Sequence, residues 1–395
     1  MTTTPSAPAP ATAKLRVESA DFLRGAVMII MALDHVRGFL SNAGVDPVDV
    51  SRTWPALFFT RWITHFCAPV FIFLAGTSAW FAGTRRTKAE LCQFLWTRGL
   101  WLVFLELTLV RFGWRWEFRF HEFNAGAVIW AIGWSMVFLS CLIFLPTRVV
   151  GGFGLAMIVL HHTLDGVKSD AWGSAGWLWK VLHEGGLFDT PWGGKFAASY
   201  PLIPWIGVMA AGYAFGSIFA WDSPRRRQFL FRGGAAILLG FVILRAWNVY
   251  GDPSRWSSQR DAMTTLMSFL NCSKYPPSLL YLAMTLGPAW LLMGCIDRPL
   301  GAWAKPVLVF GRVPLFYYLL HLPLIHLIAI GAAMLHGQES ALKSLLGAGG
   351  ERPGFGFPLP WVYLIWIAVM LLLYPVCAWY ARVKAKSKSA WFSYL

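Results

Sequence analysis

The chain has 395 residues, of which 57% are hydrophobic and only 13% charged, with 23 Trp and 30 Phe. A soluble domain carries about a quarter charged residues, so this composition and a mean hydropathy of +0.53 exclude an ordinary water-soluble fold and indicate an all-α polytopic membrane protein. The net charge of +15 does not indicate nucleic-acid binding, because the basic residues fall mostly in short loops between apolar segments, where membrane topology requires them.

In chain order, the opening "MTTTPSAPAPATAK" is rich in Pro, Ala and Thr, and residues 1–18 are expected to be a disordered cytoplasmic tail. A single transmembrane domain is expected over 19–382, then a basic cytoplasmic tail over 383–395. No secretory signal is expected, since the first apolar run is too long and lacks a small-residue cleavage site. About ten spans follow, each near the ~20 residues that a bilayer needs: 20–40, 57–82, 92–113, 125–146, 149–165, 200–221, 229–249, 276–296, 310–335 and 360–381. The span at 149–165 is short, and 300–335 reads alternatively as a re-entrant piece followed by a helix.

Lys14 and Arg16, then Arg85, Arg86 and Lys88, then Arg148, Arg225–Arg227, Arg298 with Lys305, and finally Arg382, Lys384, Lys386 and Lys388 occupy alternate loops. That alternation predicts both termini in the cytoplasm. The opposite loops, 41–56, 114–124, 166–199, 250–275 and 336–359, are rich in Trp and Gly. They read as an interfacial aromatic belt in preference to a sugar-stacking platform. Gly212 and Gly216 have the small-xxx-small spacing of close helix packing; a homodimer stays an open arrangement. The six Cys show no paired spacing and read as packing residues.

Ionisable residues inside spans are costly and face a bundle interior or a polar cavity. Arg24 and His35 lie eleven residues apart, a step that returns to the same helix face roughly 16 Å along the axis. This puts Arg24 near the cytoplasmic surface and His35 in the outer half. Asp21, one turn from Arg24, is expected to pair with it. Asp34 and His35 diverge by about 100°, so they form no intrahelical dyad, and Asp34 is expected to partner Arg37 or another helix. Arg61 and His65, four apart, His321 near the midplane, and Lys274 in the outer loop bring further polar groups to a similar depth. A neutral imidazole near a carboxylate is the usual equipment of a general base, with a structural, hydrogen-bonded histidine as the plainer reading of His35.

No metal site is expected. His161 and Asp165 are four apart, and neither His121-Glu122 nor His183-Glu184 extends to HExxH. Nucleophile-elbow, P-loop and dinucleotide fingerprints are missing too.

Four short patterns carry a family likeness. Arg16, Ser19, Asp21, Arg24 and Gly25 spell R-x-x-S-x-D-x-x-R-G; Pro69, Phe71, Phe73, Gly76 and Ser78 spell P-x-F-x-F-x-x-G-x-S. Ser273, Lys274, Ser278 and Tyr281 give S-K-x-x-x-S-x-x-Y, and Gly311, Tyr318 and His321 give G-(x)6-Y-x-x-H. Together, in this order, they resemble the heparan-α-glucosaminide N-acetyltransferase catalytic-domain family over roughly residues 16 to 325, in a bacterial form. The resemblance implies a multi-pass acyltransferase of the inner (cell) membrane. It would move an acetyl or other short acyl group from cytoplasmic acyl-CoA, a co-substrate and no bound cofactor, to an amine or hydroxyl of a sugar-type acceptor outside.

Where that family has Asn ten residues past the Gly, this chain has His35, and related membrane sugar O-acyltransferases carry a histidine treated as catalytic at that spacing. His65 stands where the family has Asp. Ser51 replaces the histidine of the family's H-x-x-W, and Trp130-Ala131 replaces its Gln-Arg. These departures leave three readings: His35 or His65 has taken over the base role, the substrate differs, or the activity is gone. Catalytic roles are accordingly expected for His35, Asp34 and His65. Contacts to acyl-CoA or acceptor are expected from Asp21, Arg24, Arg61, Arg85, Arg86, Lys88, Lys274, Ser278, Tyr318 and His321. A proton-coupled transporter, or a membrane subunit without catalysis, is the alternative from another class.

Overall fold

The computed structural model describes residues 18–347 and 354–387. Lys14, Arg16, Lys388 and most of both expected tails lie outside the described residues. Helix α1 (Glu18–Leu40) starts with Glu18 and Asp21 and ends with Arg37, as the helix dipole favours. Helix α2 (Pro55–Gly83) opens on a proline and contains one 3-10 turn at Ile63–Phe66. Helix α3 (Lys88–Arg115) opens on a capping box, in which Glu90 N donates to Thr87 Oγ1 at 3.2 Å and Thr87 N to Glu90 Oε2 at 2.8 Å. Next come α4 (Val128–Leu142), α5 (Thr147–Leu164), α6 (Ser169–Glu184), α7 (Leu202–Ala220), α8 (Ser223–Trp247) and the short α9 (Ala262–Leu270). The chain continues through α10 (Leu279–Ile296), α11 (Lys305–Arg312), α12 (Pro314–Leu335), α13 (Glu339–Leu345) and α14 (Leu359–Lys386).

Among the described residues, seven helices are long and apolar enough to cross a membrane: α2, α3, α7, α8, α10, α12 and α14. The count is eight if α5 and α6, bent by 104° at their junction, form one broken span. The protein is therefore a mostly helical, multi-pass membrane protein, and the expectation of about ten spans is not met on length and composition. The reasons are local. Helix α1 carries Glu18, Asp21, Arg24, Asp34 and Arg37, too many charges for a lipid-facing segment. It can carry them because α2, α10, α11, α12 and α14 pack around it. Helix α4 has only 15 residues. At the other extreme, α8 and α14 bury just 22% of their most apolar windows, against 78% for α7, so α8 and α14 form the outer wall and α7 a second central helix.

The all-α expectation needs one correction. Strands β1 (Phe123–Gly126), β2 (Gly186–Asp189) and β3 (Lys195–Ala198) form a small sheet of order β1-β3-β2. β1 runs parallel to β3, with Phe123 opposite Lys195, and β2 antiparallel to it, with Leu187 opposite Ala197. The 300–335 stretch holds two helices: the short α11 ends at Arg312, and α12 begins at Pro314 after a break at Val313. The expected tail at 383 begins inside a helix, since α14 continues to Lys386.

Glycines set two crossings where backbones touch. A Cβ on Gly311 would lie 1.8 Å from Asp21 O, and one on Gly25 2.0 Å from Val307 O, so α1 and α11 meet with no room for a side chain on either partner. Gly76 of α2 and Gly212 of α7 do the same, each with 2.1 Å to the other helix's carbonyl oxygen.

Candidate active site

One face of α1 supplies the spine of the site. Arg24 and Met28 line one cavity, of about 290 Å³; Met31, Asp34 and His35 line a second, of about 570 Å³. The eleven-residue step from Arg24 to His35 thus runs along the walls of two cavities placed end to end.

His35 is held through one nitrogen. Its Nδ1 lies 2.8 Å from His321 Nε2, and His321 Nδ1 lies 2.7 Å from the carbonyl oxygen of Tyr318 and 3.2 Å from that of Tyr317. Carbonyls only accept, so the network assigns the proton of His321 to Nδ1. The neutral ring then accepts at Nε2, which requires His35 to donate from Nδ1. His35 Nε2 keeps its lone pair, has no hydrogen-bond partner among the described residues, and belongs to a ring that lines the larger cavity. The indole of Trp114 packs edge-on against that ring at 4.9 Å.

Asp34 points elsewhere, as the 100° divergence requires. Arg37 Nη2 donates to its Oδ1 at 2.9 Å, and Arg61 Nη1 pairs with its Oδ2. Both expected kinds of partner, intrahelical and interhelical, are present. The carboxylate locks α1 to α2 and fixes two guanidinium groups beside the larger cavity.

Arg61 pairs with Asp34, whereas His65 lies in the 3-10 turn at Ile63–Phe66 and lines neither cavity. The His65 ring is buried outside the cavity lining, against Tyr281 at 5.4 Å, with Nδ1 unpartnered.

The S-K-x-x-x-S-x-x-Y segment is a loop clamp. Ser278 caps α10 by accepting from Tyr281 N at 2.9 Å and donates to Asp252 Oδ2 at 2.6 Å. The same Asp252 oxygen accepts from Ser273 N at 2.9 Å, and Tyr281 Oη donates to His65 O at 2.8 Å. These contacts hold Lys274 and Tyr275 on the wall of the larger cavity. Burial raises the Tyr275 phenol, but Lys274 and Arg61 outweigh it and hold it below the ordinary value of 10.0. Behind the clamp, Arg245, buried and unnoticed in the sequence, donates to the carbonyls of Ser254, Ser268, Phe269 and Asn271 at 2.8 to 3.1 Å.

Opposite α1, the larger cavity is closed by Glu184–Gly186 and Ala198–Pro201, the segments flanking the small sheet. Glu184 Oε2 accepts from Ser169 N at 2.9 Å. Its proximity to His35 had no sequence signal, because it depends on the α5–α6 bend and on the sheet.

The smaller cavity is mostly apolar, and four cations, Arg24, Arg98, Arg312 and Lys384, are among its described lining residues. Arg24 Nη1 donates to Asp21 Oδ1 at 2.9 Å and to Gly311 O at 3.3 Å, and Nη2 to Ser78 Oγ at 3.0 Å. The expected Asp21 pairing is present. Arg312 Nε is buried without a hydrogen-bond partner. Arg85, Arg86 and Lys88 stand outside this lining: Arg86 stacks on Phe94 at 4.5 Å and Lys88 Nζ donates to Ile143 O. Arg98, Arg312 and Lys384 come from three separate helices, and no local spacing marks them as a group.

Ser51 is exposed and bonded to Asp49 at 2.6 Å, outside both linings. Trp130 is buried, and its backbone N donates to Glu106 Oε2 at 3.0 Å; that buried intramembrane carboxylate was also missed. His162 and His183 share Asp165 at 2.8 and 3.0 Å. Among the described residues, no group of three or more His, Cys, Asp or Glu is arranged to hold a metal ion.

No curated protein matches the chain. A family model described as "Heparan-alpha-glucosaminide N-acetyltransferase, catalytic" matches residues 16–245, more than half of the sequence. It takes in Arg24, Asp34, His35 and His65 and stops short of Lys274, Tyr318 and His321.

Proposed function

The chain belongs to the heparan-alpha-glucosaminide N-acetyltransferase catalytic-domain family, a family of membrane acyltransferases, and on that premise we propose that it transfers an acetyl or other short acyl group from acyl-CoA to an amine or hydroxyl of a sugar-type acceptor. The observation that carries this reading is the hydrogen-bond chain from Tyr318 O through His321 to His35 Nδ1. It presents the unprotonated Nε2 of His35 to a cavity large enough for a sugar ring.

In this reading CoA enters at the smaller cavity. A polyanionic headgroup needs cationic partners, and Arg24, Arg98, Arg312 and Lys384 line that cavity. That end is cytoplasmic by the positive-inside bias. The loops that meet there are tied together: Arg226 pairs with Asp297 at 2.9 Å, and Leu300 N donates to Glu18 Oε2 at 3.5 Å. Both termini lie on that side of a cell membrane, with α1, α4 and the broken α5–α6 span completing the bundle alongside the seven longer apolar helices.

The acceptor occupies the larger cavity from the opposite side. His35 Nε2 removes the proton of the acceptor's amine or hydroxyl as that atom attacks the thioester carbonyl. Lys274 stabilises the oxyanion of the tetrahedral intermediate. The C–S bond breaks, and His35 returns the proton to the departing thiolate. Asp34, Arg37 and Arg61 keep this wall in place. His65, outside the lining, has no part in the proton transfer.

Radiolabelled acetyl-CoA with membranes from wild-type and His35→Ala cells tests the reading. Transfer to glucosamine or another sugar acceptor is expected to collapse in the variant; equal transfer in both would remove His35 from the mechanism. The transport reading draws on the same paired cavities. Solute uptake driven by a pH gradient, without acyl transfer or stabilisation by CoA, would replace the enzyme reading.

A further inference from the structure

The two cavities have three side chains in common: Phe71 of α2, Val128 at the start of α4, and Tyr318 of α12. On one side of them stand the four cations, on the other His35. We propose that Phe71, Val128 and Tyr318 form a neck through which the donor's acyl end reaches His35, and that the width they leave selects the cross-section, and so the branching, of the acyl group. This rests on the acyl-transfer reading above.

All three side chains are apolar or aromatic, so the partition admits a hydrocarbon acyl end and the thioester but is costly for an unpaired phosphate. The headgroup therefore stays with Arg24, Arg98, Arg312 and Lys384 while the acyl carbon passes. Transfer then needs only the acyl group to cross: its bond to sulfur breaks on the His35 side, a bond to the acceptor nitrogen or oxygen forms there, and the acceptor's proton goes to the thiolate through His35.

Each neck residue is fixed from behind. Val128 sits on the helix end whose backbone Glu106 holds, through the 3.0 Å bond to Trp130 N. Its neighbours divide between the cavities, Ala127 facing one and Ile129 the other. Tyr318 is tied by its carbonyl to His321 and packs edge-on against that ring at 5.3 Å. Phe71 rides on α2, held to α7 by the Gly76–Gly212 backbone contact. A neck walled by three braced helices cannot widen at no cost, so a branching methyl that broadens the acyl group is rejected, by roughly 10- to 200-fold for a tight apolar pocket.

The test uses purified full-length protein and non-transferable S-alkyl-CoA thioethers, straight (S-ethyl, S-propyl) and branched (S-isopropyl, S-tert-butyl), read by thermal stabilisation and by affinity. Wild type is expected to prefer the straight members. Val128→Ala should shift the ratio of branched to straight affinity upward by about tenfold or more, and Val128→Ile should shift it the other way. Phe71→Leu gives an independent widening should a Val128 variant fold poorly. If CoA stabilises the protein but the branched-to-straight ratio is the same in all variants, the neck is wrong while the donor site stands. If CoA and every thioether leave wild type unchanged, the acyl-transfer reading falls and takes the neck with it.

Discussion

His35 and His321 stack with ring centroids 4.9 Å apart and share one hydrogen bond, so the second ring sets which nitrogen of the first carries a proton. His321 acts as a positioning residue: it lies outside the cavity lining and works through His35.

His321→Ala should therefore lower kcat by about 10²-fold, within the range that a well-placed general base contributes. KM for acyl-CoA should change little, because the donor's cations are on other helices. Steady-state kinetics on solubilised protein separates the two. A rise in KM with kcat intact would mean that His321 binds substrate and does not orient the base.

Asp34→Asn should destabilise the protein by about 3 kcal/mol, the usual cost of breaking a buried pair and leaving its cations behind. Its carboxylate and the two guanidinium groups are only 15–19% exposed. Adding Arg61→Met to the same chain should recover part of the loss. Thermal unfolding in detergent gives both values. Additive losses would show that Asp34 and Arg61 are not coupled.

Glu117, outside the spans, is surrounded by Arg111, Arg115 and Arg119 at 2.5–3.1 Å. Burial pushes its carboxyl up, but hydrogen bonds and charge from Arg115 and Arg119 prevail and hold it below the ordinary value of 4.5. A depressed folded pKa contributes stability that is present above the unfolded value and is lost as pH falls through the folded one. Wild type should thus lose stability below about pH 4.5 more steeply than Glu117→Gln. Parallel melting profiles for the two between pH 6 and pH 3 would refute this.

Gly311→Ala should separate α1 from α11, because the new methyl would meet Asp21 O at 1.8 Å. Overpacking of this kind costs about 1–3 kcal/mol or more. Gly331→Ala is the matched control, since nothing lies within 4 Å of a Cβ there. A drop in melting temperature for Gly311→Ala but not for Gly331→Ala is expected; equal behaviour would discount the crossing.

Arg312→Ala should raise KM for acyl-CoA about tenfold, near the roughly 1.5 kcal/mol of one charged hydrogen bond, with kcat unchanged. Arg86→Ala should leave KM in place, because Arg86 lies on Phe94 outside the cavity lining. The reverse pattern would return the donor site to the Arg85–Lys88 loop.

What could be read in advance followed helix geometry. The stripe from Arg24 to His35, the Asp21–Arg24 pair and the divergence of Asp34 from His35 are properties of one helix, and all are found. Lys274 was also legible, though as an isolated cation whose clamp of Ser273, Ser278 and Asp252 needed the folded loop. The sheet was not legible: strands such as Phe123–Gly126 and Lys195–Ala198 are four residues long and lack a clear alternation. The burial of His65 outside both linings depends on its packing against Tyr281, which no hydrophobic period records. Arg98, Arg312, Lys384 and Glu184 were missed because a cavity wall collects residues from helices distant in sequence.

Arg24 illustrates how a helix tie can double as a receptor. A guanidinium has five N–H donors. Its contacts to Asp21, Gly311 and Ser78 engage both hydrogens of Nη1 and one of Nη2, which leaves Nε and the second Nη2 hydrogen without a partner among the described residues. In the proposed donor site, an arriving phosphate oxygen would be taken without releasing α1 from α2 or α11. The joint between three helices would stay closed, and donor binding would need no rearrangement of the bundle at that point.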